Sequence, residues 1–208
     1  MSANGVYHEA PLVGEIIESS TTDVLAQACQ LDAAPAFGSF VRVSGGDGGL
    51  NVYGVVAHVQ TAALDPGARA VMRGHGEVRD DLIYHENPDL PLVLRTTFRC
   101  AVVGFEAGPT LYQLLPPTPP RLHYSVYVAT ADEVCRFTEA GFDYLRTLLN
   151  VAEVPTDEML AANLRLTAQL RREPEAFTER AGRELAELLR ADYPRLASIL
   201  RRCLAGAV

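Results

Sequence analysis

The segment Gly74-His75-Gly76-Glu77-Val78-Arg79-Asp80-Asp81-Leu82-Ile83-Tyr84-His85-Glu86 gathers the densest set of groups able to do chemistry. His75 and Glu77 fall on one side of an extended chain. With Asp81 and His85 they offer the imidazole and carboxylate donors that a divalent metal takes. The spacing matches no helical H-x-x-x-H pattern, and polar loops accumulate such residues for solvation alone, so a solvated loop is favoured and no metal site is expected. Ser20-Thr21-Thr22 supplies hydroxyls without the G-x-S-x-G turn that presents a nucleophilic serine, and reads as a hydroxyl-lined turn between two strands. Cys29, Cys100, Cys135 and Cys203 contain no C-x-x-C pair, which points to reduced, buried or half-buried thiols rather than a zinc knuckle or a disulfide framework. No Ser/His/Asp or Cys/His signature is present. Neither a catalytic residue nor a cofactor is expected, and the chain is not read as an enzyme.

Phosphate chemistry of the P-loop kind needs a Gly-rich loop followed by Lys, and this chain has no Lys at all; its 18 basic residues are all Arg. The run Gly45-Gly46-Asp47-Gly48-Gly49 is too short and lacks a helix behind it, so it reads as a hairpin turn. Net charge is -8, and it is unevenly placed: residues 1–150 carry 17 acidic and 9 basic groups, residues 151–208 nine of each. A domain that gripped a phosphate backbone unaided would show the opposite balance. Arg95 and Arg99, four apart and hence on one side of a strand, join Arg69, Arg73 and Arg79 as a candidate interaction surface. Their plainer reading is as surface arginines paired to the abundant carboxylates.

Short alternating runs place strands at residues 12–18, 23–29, 39–43 and 52–60, with a second β block at 92–105. Phe40 and Val55 are expected core residues. Residues 62–91 are longer and more irregular than a hairpin loop. Thr130-x-x-Glu133 fits a capping box and opens a helix running to about Asn150, with Val134, Phe137, Tyr144, Leu145 and Leu148 at helical spacing. Pro155-Thr156-Asp157, Glu173-Pro174 and Asp192-Tyr193-Pro194 open three more, a compact helical tail packed on itself or on a partner. The Pro-rich stretch at 116–121 divides the chain into a β-barrel domain (1–115) and a mainly helical region (122–208). The fold class is α+β. No basic start with an apolar stretch marks a signal peptide and no apolar run reaches membrane-spanning length, so a cytoplasmic location without membrane contact is expected.

At Gly14-Glu15-Ile16-Ile17, Ser20-Thr21-Thr22, Phe37-Gly38-Ser39-Phe40-Val41 and Tyr53-Gly54-Val55-Val56 the order and spacing resemble the HAS barrel, over roughly residues 12–115. That domain stands at the N-terminus of HerA-type DNA translocases and of the catalytic subunits of rotary ATP synthases. The resemblance implies a small β-barrel and assembly in rings. It also implies that the chemistry belongs to an ATPase domain following the barrel. Here His123-Tyr124-Ser125-Val126-Tyr127-Val128 occupies the place of the first ATPase strand, yet Ala129-Thr130-Ala131-Asp132-Glu133 has no glycine to wrap a triphosphate. By implication the chain is a protein-interaction or assembly module whose partner is a ring ATPase, a DNA-processing complex or itself. The alternative is a nucleic-acid-binding accessory protein using Arg69, Arg73, Arg79, Arg95 and Arg99.

Overall fold

The structure, a computed structural model, describes residues 10–46, 49–65 and 67–204. Seven strands, β1 (Leu12–Ser19), β2 (Asp23–Ala28), β3 (Phe40–Val43), β4 (Asn51–Ala63), β5 (Leu94–Ala107), β6 (Thr110–Tyr112) and β7 (Ser125–Val128), pair antiparallel in the order β2-β1-β7-β3-β4-β5-β6. β2 also pairs with β5, from Asp23 opposite Ala101 to Gln27 opposite Thr97. This pairing closes six strands into a ring and leaves β6 as a short hairpin arm on the end of β5. Ser20 Oγ sets the β1–β2 turn by accepting from the amides of Thr22 (3.1 Å) and Asp23 (2.9 Å). Asp47 and Gly48, the centre of the expected β3–β4 turn, lie outside the described residues.

Alternation along each strand sorts side chains to the two faces. Inside the ring sit Ile16, Val24, Val41, Val56, Phe98 and Val126, all buried. The outer face of β3, β4 and β5 is also apolar, carrying Phe40, Tyr53, Val55 and Val103. It is covered by α3 (Ala131–Glu139), α4 (Asp143–Leu149), α5 (Thr156–Gln169), α6 (Pro174–Leu188) and α7 (Tyr193–Leu204). Phe40 is therefore core, as expected, but at the seam between layers: its ring lies 5.4 Å from Phe137 and 5.6 Å from Tyr144. Phe137 in turn meets Tyr53 at 5.1 Å, completing an aromatic cluster in tilted and edge geometries. Gly38, at φ +86°, lets the chain turn into β3 while α5 approaches it. A Cβ there would stand 2.6 Å from that of Ala162, and Asn163 Nδ2 donates to Gly38 O at 3.0 Å.

A polar network locks α3 to the sheet. Thr130 Oγ1 accepts from the Glu133 amide while Glu133 Oε2 accepts from the Thr130 amide, the capping box read from the sequence. Glu133 Oε1 also contacts Arg42 Nε at 2.7 Å, as a close ion pair rather than an aligned hydrogen bond. Arg136 pairs with Glu106 at 2.7 Å and donates to the Tyr53 hydroxyl at 3.4 Å. Burial first, then the Glu106 and Glu133 carboxylates, push the Tyr53 hydroxyl up to about 12 despite Arg136. A phenol whose ionisation is raised on folding contributes stability that is whole below its ordinary value and lost as pH rises through the folded one. Unfolding free energy measured against alkaline pH is thus expected to fall across about 10 to 12, and to fall less steeply in Tyr53→Phe.

Two readings of the sequence change at the level of elements. Leu90–Val93 forms a short helix, α2, before β5 starts at Leu94, and the single helix expected from Thr130 to Asn150 is split into α3 and α4 at Gly141. More consequentially, one strand of the ring comes from beyond the Pro-rich stretch. β7 pairs with β1 (Gly14 opposite Val126) and with β3 (Val43 opposite Val126), so it joins two strands that do not pair with each other. Buried residues on both sides of 116–121 share one apolar cluster. A fragment ending at residue 115 loses β7 and every helix covering Phe40, Tyr53 and Val55. It is expected to melt without cooperativity by far-ultraviolet circular dichroism. A cooperative melt would place an autonomous domain before the Pro-rich stretch.

Candidate functional site

β4 and β5 run past the rest of the ring. β3 stops opposite Val55 and β2 stops opposite Thr97, whereas β4 and β5 continue together to Ala63 opposite Leu94. Residues 64–93 are hung on this two-stranded projection. Within them α1 (Asp81–Glu86) and α2 pack loosely, and Gly74 makes a tight turn whose carbonyl accepts from the amides of Glu77 (2.9 Å) and Val78 (3.0 Å). An ion pair between Arg73 and Asp89 at 2.9 Å braces the segment, and the Tyr84 hydroxyl donates to Asp32 Oδ2 at 3.3 Å on the β2–β3 connection.

The segment encloses an open cleft of about 870 Å³. Its lining is mainly aliphatic, including Leu64, Val71, Met72, Ile83, Leu92 and Val93, with Arg69, Arg73 and His75 among the polar members. Val71, Met72 and Leu92 are 71 %, 73 % and 74 % exposed. Single exposed aliphatic residues are ordinary on protein surfaces. Here several share one concave surface, in a segment where Leu90 is the buried large side chain, and make a contiguous apolar patch.

The groups singled out from the sequence do not converge. His75 lines the cleft, while Glu77, Asp81 and His85 are exposed and stand outside its lining. Among the described residues no group of three or more His, Cys, Asp and Glu is arranged to hold a metal ion. Of the arginines, Arg69 and Arg73 share the cleft and Arg79 is exposed beside it. Arg95 and Arg99 lie on the outer side of β5, opposite Ala62 and His58 of β4. Arg99 is paired with Asp23 at 3.2 Å, at the edge of a second cavity of about 650 Å³ that also takes in Thr22, His58 and Glu153. The five arginines thus divide between two places, and Arg73 and Arg99 are each committed to a carboxylate. The aliphatic lining is the part that sequence reasoning missed. The available signal was the recurrence of Leu64, Val71, Met72, Leu92 and Val93 in a segment with neither period 2 nor period 3.6.

Neither buried thiol is poised as a nucleophile. Burial pushes Cys100 far up and Cys203 up to about 11, against the lowering by Arg165 on the latter. No family model matches the chain, and no curated protein matches it at a significant level. No helix among the described residues is long and apolar enough to cross a membrane. Titration of the native protein with an aromatic disulfide is expected to modify exposed Cys29 first. Cys100 and Cys203 should react only on unfolding, and fast native labelling of either would mean the core opens around it.

Proposed function

We propose that this protein is a non-enzymatic, cytoplasmic interaction and assembly module built on a HAS-like barrel, an adaptor for a ring ATPase or a DNA-processing complex. One observation carries the reading: a concave aliphatic surface displayed on a projecting β-ribbon, away from the main core. A closed six-strand ring accords with the barrel that the sequence resemblance implied. A partner that inserts apolar side chains between Met72, Leu92 and Val93 gains hydrophobic free energy in proportion to the area removed from water, about 25 cal/mol per Å² before the costs of association. The nucleic-acid reading is the weaker one, because Arg73 and Arg99 already face carboxylates and the chain is acidic overall.

A photo-crosslinking residue placed at Met72 or Leu92 is expected to capture a discrete protein in the native cell. The same residue placed at Glu179, on the exposed side of α6, should capture none. Met72→Glu should abolish capture from Leu92 while leaving the melt within about half a kcal/mol of wild type. Equal capture from all three positions, or none from the cleft, defeats the proposal.

A further inference from the structure

The cavity of about 650 Å³ beside Arg99 opens where the helical layer ends over the ring. Its floor is Ala57 of β4 and Ala101 of β5, both buried on the outer face. Two residues away along the same strands that face carries Val55 and Val103, so alanine at 57 and 101 leaves the room that valine fills beside it. Leu115, Val151 and Val154 continue the apolar lining, and the walls come from both layers, the strands on one side and the α4–α5 connection on the other. The volume lies in the usual range of small-molecule sites. Two local irregularities bring polar groups to it. Val56 stands opposite Cys100 and His58 opposite Arg99, so β4 carries one extra residue there, a bulge at Ala57. Strict alternation would turn His58 inward with Val56, whereas the bulge sets it on the cavity beside Ala57. Glu153, on the α4–α5 connection, has φ +62°. That left-handed conformation costs free energy in a residue with a side chain, and it persists where the surrounding structure over-determines it, as ligand sites often do.

The lining holds two carboxylates, Asp23 and Glu153, and one guanidinium, Arg99. Arg99 and Asp23 pair at 3.2 Å, which leaves Glu153 with no cation at ion-pair distance among the described residues. Asn150 Nδ2 donates to Arg146 O at 2.7 Å, so the end of the Asn150 amide that stays open is its acceptor oxygen. A neutral His58 ring adds one acceptor nitrogen. An uncompensated carboxylate with further acceptors over an aliphatic floor is complementary to a cation that carries several donors, no acceptor and a hydrocarbon body. We propose that this cavity binds a small primary alkylamine as its ammonium. The charge lies against Glu153, the remaining N–H groups turn to Asn150 Oδ1 and His58, and the alkyl body covers Ala57, Ala101 and Val151. An alkylammonium gathers three donors on one unit charge and is protonated at neutral pH. A carboxylic acid or a phosphate would set a second anion against Glu153. A metal ion is served less well, since among the described residues no group of three or more His, Cys, Asp and Glu is arranged to hold one. The field of a chain of net charge -8 also draws small cations toward it.

The inference goes beyond the docking reading and is independent of it, so Met72→Glu should leave amine binding unchanged. Calorimetric titration of the full chain with hexylamine at neutral pH is expected to show one saturable site, with hexan-1-ol at least about tenfold weaker and hexanoate silent. Glu153→Gln should weaken hexylamine by at least about tenfold. Ala101→Val, which fills part of the floor without altering charge, should weaken it as well. Glu175→Gln, at an exposed carboxylate on α6 that no ion pair engages among the described residues, should not. Because the cavity walls belong to both layers, saturating amine should raise the melting temperature of the wild type and not that of Glu153→Gln. Amide resonances of Ala57, His58, Asn150 and Glu153 should move with the titration. Absence of a saturable site overturns the proposal. So does affinity unchanged in Glu153→Gln, or an equal loss in Glu175→Gln, which would mean bulk attraction of a cation to an acidic chain. Hexan-1-ol binding as tightly as hexylamine overturns it too, and leaves only an apolar crevice.

Discussion

Closure of the ring is the constraint on which the rest of the structure depends. β7 is four residues long, yet by pairing with both β1 and β3 it turns an open sheet into a ring of six strands. Closure gives the sheet an inside, filled by β-branched and small residues such as Ile16, Val24, Val41 and Val126. The sequence then gives β3, β4 and β5 a second apolar face. A strand apolar on both faces has to be covered on the outside as well, and here α3 to α7 do it. The helical region is for this reason a second layer of one core rather than an appended tail. The Phe40–Tyr53–Phe137–Tyr144 cluster is where the layers meet, and the Arg42–Glu133 and Arg136–Glu106 pairs fix the angle at which α3 lies across it.

The same closure accounts for what is left uncovered. Strands in a small ring are staggered, so their ends do not coincide. β2 and β3 end early, and β4 and β5 carry on without neighbours. Everything attached to that ribbon has hydrogen bonds along one ladder and little apolar burial. These are the properties of a segment that opens at low free-energy cost. The proposed docking role would gain from this, because aliphatic side chains on a loosely held frame can adjust to what they meet. It also explains why Val71, Met72 and Leu92 stay in water while residues of similar size on β4 are fully buried.

The parts of this architecture that were legible in the sequence are those whose periodicity runs long enough to be unambiguous. Strands of six or more residues show their alternation, and the helices announce themselves by Thr130-x-x-Glu133 and by prolines 155, 174 and 194. Val126 and Tyr127 sit in a run too short to separate a strand of the ring from the start of another domain, and nothing local says that Ser125–Val128 returns to lie between β1 and β3. Phe40 read as buried from its flanking residues, but which of two cores it enters depends on a ring that only closes in three dimensions. Arg73 and Arg99 were legible as arginines paired to carboxylates, but which carboxylates was not, because Asp89 and Asp23 lie 16 and 76 residues away along the chain. The cleft was hard to read for a related reason: its aliphatic residues follow no period, since only two helical turns and irregular chain hold them.

Charge makes the division of labour between these surfaces intelligible. Arg42, Arg73, Arg99, Arg136, Arg171, Arg195 and Arg202 are each engaged with a carboxylate inside the chain. An arginine already facing an acid has part of its charge offset and binds a phosphate or an acidic peptide more weakly. Seven of the 18 arginines are in this way used within the chain, and in the proposed reading recognition between molecules rests on apolar area. That area is concentrated in residues 64–93, on the projection that the ring leaves uncovered. In the proposed reading it does not rely on charge, so selectivity there comes from shape.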